Sequence, residues 1–398
     1  MILDEISKLN KVLVLGFARE GQSTSNFLHS KFPDLQIDHA DQKDGPDYLS
    51  HLTDYSLVIK SPGVSPHKPE IVAAKSAGVI FTSHMQIFFE VCPSKNTIGV
   101  TGTKGKSTTT SLIHHVLKDH FPTVLVGNIG KPALDYLNEI TPQTWVVCEL
   151  SSYQLMDLTV SPHIAVLQNI YPDHLDYHKD FEEYKNAKLN IAKYQTPNDY
   201  LITKLDIPDP PIPSQLLGSH NQLNILPSVI IGRLLKIPDA KIYAAIKTFK
   251  PLETRLELIA EKNGIKFYAD TLATIPEATI AAIDTLHPAT LIAGGHDRHQ
   301  DYSALAQKII SSGVKTLILF PATGERILQE VEKHLEGGRM DSFQVAGMPE
   351  AVELAFKHTP SGAICLLSPA APSFTLFRDY RDEHDQYKKS IEELAVPN

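Results

Sequence analysis

Thr97-Ile-Gly-Val-Thr-Gly-Thr-Lys-Gly-Lys-Ser-Thr108 decides how this chain is read. Thr97–Val100 is a short run that reads as a buried strand, and Leu112, Ile113, Val116 and Leu117 mark one face of a helix after it. Between them a glycine-rich turn lets successive backbone N–H groups face one anion. The helix start adds the positive end of its dipole. In such a turn Lys106 reaches terminal phosphates and the Ser107 hydroxyl ligates Mg²⁺. The bland alternative is an ordinary glycine turn, and Gly-Lys-Ser in a strand–turn–helix setting favours the phosphate reading. The spacing is unusual. Val100 stands where the common phosphate-loop pattern has its first glycine, so the loop is the shortened Gly102-Thr103-Lys104-Gly105-Lys106-Ser107-Thr108.

Upstream, Lys11-Val-Leu-Val-Leu-Gly16 is an apolar run ending in glycine, and Gln36–Ala40, Leu57–Lys60 and Gly78–Phe81 read as further short strands. Strands alternating with helical segments imply a small doubly wound domain over residues 1–94. Pro93-Ser-Lys-Asn96 reads as a linker. A central block over 95–250 adds strands at Thr144–Cys148 and Ile164–Gln168, an irregular proline-rich stretch over 197–213 and a helix at Leu223–Leu235. A third block over 251–398 has strands at Ile265–Tyr268, Ala289–Ala293, Val314–Leu319 and Ala363–Leu367. The expected fold class is α/β in three domains: a Rossmann-like domain, a central parallel-sheet domain of the P-loop ATPase type and a C-terminal Rossmann-like domain.

Composition agrees with this plan. The 398 residues are 42% hydrophobic and 21% charged, enough to bury real cores. The formal net charge of −9 argues against nucleic-acid binding, which wants a basic face. Cys92, Cys148 and Cys365 are widely spaced and suggest no zinc site; buried thiols in a reducing compartment are expected. Met1 to Leu9 lacks the pattern of a signal peptide, and no apolar run approaches the roughly 18–20 residues of a spanning helix. A cytoplasmic monomer without membrane or nucleic-acid partners is expected.

Eight segments in order resemble the Mur ligase family, and within it the branch that adds glutamate to UDP-N-acetylmuramoyl-L-alanine. They are Thr101-Gly-Thr-Lys-Gly-Lys-Ser-Thr108, Gly127-Asn-Ile-Gly130, Glu149-Leu-Ser-Ser-Tyr-Gln154, Asn169-Ile-Tyr-Pro-Asp-His-Leu-Asp176, Tyr184-Lys-Asn-Ala-Lys188, Gly218-Ser-His-Asn-Gln-Leu-Asn224, Thr254-Arg-Leu-Glu257 and Ser368-Pro-Ala-Ala-Pro-Ser373. The resemblance implies ATP as co-substrate, two Mg²⁺ ions and an acyl-phosphate intermediate. Such chemistry crowds negative charge, so it needs cations more than a nucleophile.

Glu149 ends the apolar run Trp145-Val-Val-Cys148, where an unpartnered carboxylate is costly. A Mg²⁺ ion or a lysine would relieve it. By resemblance Glu149 and Ser107 hold one Mg²⁺, His174 ligates the second, and Lys188 carries a CO₂-derived carbamate that bridges to it. A solvated histidine and a surface lysine would look the same in sequence. Asn221 and Asn224 resemble an adenine-contacting pair, though asparagine also caps helices well. Arg255 would clamp the γ-phosphate or pair with Glu253 or Glu257, and Asp270 matches a nucleotide-contacting aspartate.

For the sugar nucleotide the resemblance implies Gly16, Ala18, Arg19, Asp41, Ser61 and Gly63 around the UDP part. Asn128, Ser151 and Gln154 would hold the muramoyl end. Asp41 also fits a plain turn residue. For glutamate it implies Thr274, Arg298, Ser373 and Tyr380. Here the chain departs from the pattern: Asp270-Thr-Leu-Ala-Thr-Ile275 has Leu272 where relatives that add D-glutamate have a lysine, a feature of a branch that includes L-glutamate ligases. D-glutamate is the default and L-glutamate the alternative. A folylpolyglutamate synthase-like ligase, a P-loop kinase or NTPase, and a nicotinamide oxidoreductase built on the Gly16–Gly21 turn are the remaining rivals.

Overall fold

The computed structural model describes residues 2–335 and 340–394. Its central parallel strands are rich in Val, Ile and Leu and mostly buried, as the apolar runs require, whereas the edge strands are partly exposed. The first sheet holds β1 (Lys11–Leu15), β2 (Gln36–Ala40), β3 (Leu57–Lys60) and β4 (Ile80–Thr82), all parallel, in the order β2-β1-β3-β4. Strand order reverses across β1 and β3, which places a crevice beyond the carboxyl ends Leu15 and Lys60.

The second sheet comprises β5 (Thr97–Thr101), β6 (Thr123–Gly127), β7 (Trp145–Glu149), β8 (Ile164–Leu167) and β9 (Tyr200–Ile202), parallel in the order β6-β7-β5-β8-β9. The stretch 197–213, expected to be irregular, contains β9. The three-residue β9 is too short and too close to the prolines to announce itself, and it pairs along Ile164–Val166. β6 was also not expected.

The third sheet holds β10 (Glu257–Lys262), β11 (Ile265–Ala269), β12 (Thr290–Gly295), β13 (Thr316–Ala322), β14 (Asp341–Gln344) and β15 (Ile364–Leu367), in the order β10-β11-β15-β12-β13-β14. β10 is the antiparallel exception, joined to β11 by Asn263-Gly264, whose φ angles of 52° and 75° suit a tight primed hairpin.

The chain forms two compact units. One holds the residues up to Pro213 with Gln222–Thr248, and so the first two sheets. The other holds Ser214–Asn221 and the residues from Phe249, and so the third. Within the first unit one hydrophobic core runs through both sheets. Val12, Val14, Leu57 and Ile59 of the first sheet join Met85 and Phe88, and the same cluster includes Val126, Leu134, Val146 and Cys148. All three cysteines are free and buried. Among the described residues no helix is long and apolar enough to cross a membrane.

Candidate active site

β5 delivers Gly102 to the carboxyl edge of its sheet, and the helix Lys106–Leu117 starts immediately after the turn. Gly105 is its N-cap, with φ of 87°. A Cβ at Gly105 would collide with Asn224 Oδ1, and one at Gly102 would lie 2.7 Å from Gln168 Cβ, so the turn needs glycine for room as well as for dihedral freedom. Thr103 anchors it: its N–H donates to the Asn169 carbonyl at 3.0 Å, and its hydroxyl lies 2.9 Å from that of Tyr184. Thr108 is buried and Ser107 half-buried in the first helical turn.

Three lysines gather at the turn. Lys106 Nζ donates to the carbonyls of Gly102 at 3.0 Å and Thr103 at 2.9 Å. Lys188 reaches in from the helix Phe181–Lys193 and donates to the same Gly102 oxygen at 2.8 Å. It is only 2% exposed. Burial, and then the nearby Lys106 charge, hold its ammonium well below the ordinary lysine range. Lys104 Nζ lies 3.7 Å from Asp173.

Glu149, at the end of β7, is 2% exposed. Its Oε1 accepts from Asn128 Nδ2 at 2.8 Å, whereas Oε2 is buried without a hydrogen-bond partner. An orphaned carboxylate oxygen is the observation that fits a cation here. No group of three or more His, Cys, Asp or Glu among the described residues forms a ready-made cage. A cation would therefore draw on hydroxyls, water or a phosphate-bearing ligand, which is how Mg²⁺ is usually held. His174 has φ of 56°, unusual for a non-glycine residue, and its Nδ1 lies 2.6 Å from the Tyr153 hydroxyl.

Asn224 is not placed as an isolated ligand. Its Oδ1 accepts from Gln168 Nε2 at 2.9 Å, its carbonyl accepts from the Thr109 hydroxyl at 3.1 Å, and it packs against Gly105. In this structure it buttresses the glycine turn.

A cavity of about 420 Å³ opens at the crevice of the first sheet. Seven of the residues expected around the sugar nucleotide line it: Gly16, Ala18, Arg19, Asp41, Ser61, Gly63 and Asn128. Gly16 has φ of 85°, and a Cβ there would lie 2.7 Å from Ser61 Cβ. Arg19 bridges to the second sheet's loop through the Gly130 carbonyl. Asp41 accepts the Phe17 N–H at 2.6 Å and the Lys43 N–H at 3.1 Å, which keeps its carboxyl below the usual range. Ser151 and Gln154 do not line this cavity. They form a reciprocal cap at the start of the helix Ser152–Met156, and Gln154 Nε2 donates to Glu20 Oε1 at 2.6 Å. Sequence reading missed Glu20, Tyr48 and Lys68 in the lining. The signal for Glu20 was there, a charged residue inside the Gly16–Gly21 turn.

The second unit carries the remaining expected residues. Asn221 opens the helix Asn221–Leu234, and its Nδ2 donates to the Leu217 carbonyl at 2.6 Å. Arg255 lies between Thr254 and Leu256, both at positive φ, and its Nε is buried without a partner. Desolvation, and then the Arg255 charge, lower the His220 imidazole below its ordinary range. Asp270 follows β11 and donates its N–H to the Leu367 carbonyl at 2.8 Å. Thr274 N–H donates to the Leu272 carbonyl at 3.0 Å. Two strand ends converge nearby: His296 N–H donates to the Pro372 carbonyl at 2.7 Å, joining the loop of Arg298 to that of Ser373. Ser373 is buried, and Tyr380 begins the helix Tyr380–Leu394 with its hydroxyl 3.2 Å from Arg381 Nε.

Residues 100–212 match the Mur ligase middle domain, and residues 254–371 match the Mur ligase glutamate ligase domain. The UDP-N-acetylmuramoylalanine–D-glutamate ligase of Acetivibrio thermocellus is 33% identical over 88% of this chain and 86% of its own. The enzyme of the same name from Clostridium kluyveri is 33% identical over 97% of this chain and 94% of its own. Among solved structures, the MurF ligase of Thermotoga maritima in complex with ADP superposes with a TM-score of 0.61 at 15% identity, covering 96% of this chain and 95% of the other.

Proposed function

Because the chain belongs to the Mur ligase family, we propose that it is the ATP-dependent ligase that joins D-glutamate to UDP-N-acetylmuramoyl-L-alanine in peptidoglycan precursor synthesis. The observation that carries this reading is the phosphate turn, where Lys106 and the buried Lys188 converge on Gly102 beside an orphaned Glu149 oxygen. The names of the relatives favour D-glutamate over the L-isomer that Leu272 left open.

The substrate carboxylate attacks the γ-phosphorus of ATP and ADP leaves. The glutamate amine then attacks the acyl carbon and phosphate leaves. Backbone N–H groups of residues 102–108 cradle the phosphates, and Lys106 swings from its own carbonyls to their oxygens. Arg255 would clamp the γ-phosphate with its planar fork. Asn221, Asn224 and Asp270 would hold the nucleoside. Gly16, Ala18, Arg19, Asp41, Ser61 and Gly63 would seat the UDP part, with Asn128, Ser151 and Gln154 towards the reacting carboxylate. Thr274, Arg298, Ser373 and Tyr380 would receive glutamate.

Mg²⁺ would neutralise charge between the phosphates, held by Ser107, Glu149 and His174, with Lys188 joining as its carbamate. Burial supports that modification, since the neutral amine is the form that adds CO₂. Domain limits of 1–94, 95–250 and 251–398, a monomer and a cytoplasmic location belong to the same proposal.

ADP release, coupled to a spectroscopic readout with D- and L-glutamate side by side, tests it. Release should require both UDP-N-acetylmuramoyl-L-alanine and D-glutamate. Release with a hydroxyl acceptor alone, or without the sugar nucleotide, overturns it.

A further inference from the structure

The wall of the sugar-nucleotide cavity contains one acidic side chain that the mechanism above does not use. Glu20 lies in the first turn of the helix Arg19–Lys31 and lines the cavity. Its Oε1 accepts from Gln154 Nε2 at 2.6 Å, whereas Oε2 is closed off from solvent and has no hydrogen-bond partner. The N-cap of that helix, Ala18, supplies no side-chain cap. A diphosphate at this end meets a favourable dipole and backbone amides. An ionised carboxylate in the same place opposes it, and a protonated one does not.

Arg19, beside Glu20, is bound to the Gly130 carbonyl, and Lys60 pairs with Asp157 at 2.9 Å. Desolvation lifts the Glu20 carboxyl to about 7, outweighing the Gln154 hydrogen bond and the Arg19 and Lys60 charges, all of which favour the ionised form. His84 packs nearby with its ring 2.9 Å from Thr24 Oγ1, and burial lowers it to about 4, so it stays neutral in the working range. Across the cavity stand Asp41, which its amide partners keep ionised, and Lys68.

We propose that Glu20 is a proton-linked determinant of sugar-nucleotide affinity, whose protonated form admits the diphosphate and whose ionised form resists it. This rests on the reading of the cavity as the UDP site. Binding a dianion raises the proton affinity of Glu20 further, so ligand and proton are taken up together. Affinity is then full below neutrality and falls as pH rises, by at most about tenfold per unit.

Titration calorimetry of the intact chain with UDP-N-acetylmuramoyl-L-alanine, without ATP, between about pH 6 and about pH 8.5, tests the proposal; the ligand's diester diphosphate and carboxylate stay ionised throughout. For the natural protein Kd should weaken by roughly tenfold across this range. Runs in buffers of different ionisation enthalpy should show proton uptake. Glu20→Gln keeps the oxygen that Gln154 uses, and its Kd should be flat at the low-pH value. A flat Kd without proton uptake in the natural protein, or an unchanged slope in Glu20→Gln, overturns the proposal. Absence of binding at every pH overturns the reading of the cavity, and the proposal with it.

Discussion

Lys106 and Lys188 donate to one acceptor, the carbonyl oxygen of Gly102, at 3.0 and 2.8 Å. Two lysine side chains share one neutral oxygen, and burial and the neighbouring Lys106 hold Lys188 below the ordinary lysine range, an arrangement that an anion in the turn would relieve. The phosphate reading of the turn therefore rests on side-chain geometry as well as on its glycines.

Lys106→Ala should lower ADP release by on the order of a hundredfold to a thousandfold, the usual cost of removing one donor to developing charge. Binding of UDP-N-acetylmuramoyl-L-alanine, measured separately, should be little changed, since the cavity of the first sheet does not include Lys106. Near-normal turnover would remove the turn from the mechanism.

Lys188→Met should separate stability from activity. The buried amine resists its charge, and an apolar chain of similar length avoids that cost. The variant should unfold at higher temperature by the equivalent of about 1–2 kcal/mol, while ligase activity is lost. Calorimetry and the ADP-release assay on one preparation decide it. A lower melting temperature would show that the hydrogen bond to Gly102 outweighs desolvation.

Glu149→Gln keeps an acceptor for Asn128 but removes the charge behind the orphaned oxygen. Titration of activity against Mg²⁺ should shift to higher metal concentration by about tenfold or more, with folding intact. An unchanged Mg²⁺ requirement would take Glu149 out of the metal site.

Leu272→Lys should change glutamate affinity or the preference between its isomers. Half-buried Leu272 follows Asp270 and Thr271 at the β11 strand end, and its carbonyl accepts the Thr274 N–H. A new cation here should alter KM for one isomer by roughly fivefold or more. Side-by-side kinetics with both isomers measure this, and identical constants would place Leu272 away from the pocket.

Much of the fold was legible because parallel strands leave apolar runs, and β1, β3, β7 and β15 lie where such runs fall. β10 was missed although Asn263-Gly264 marks its hairpin, because an edge strand with alternating exposure carries little apolar signal. The seven cavity residues were placed by motif. Lys188 was singled out by its motif, but its burial was not legible: that depends on a helix packing over a turn 86 residues earlier, which local pattern does not carry. Asn224 shows the reverse limit. Its motif pointed to a ligand, and only packing reveals the bond to Gln168 that holds it against Gly105.

Pro93-Ser-Lys-Asn96 looks like a joint in the sequence, yet Ser94 is buried and its hydroxyl donates to the Thr144 carbonyl at 2.6 Å. With one core running through both of the first two sheets, a chimera spliced at that point would cut across shared packing. Recombination that transplants the sheets of β1–β4 and β5–β9 as a single cassette preserves what either half alone would forfeit.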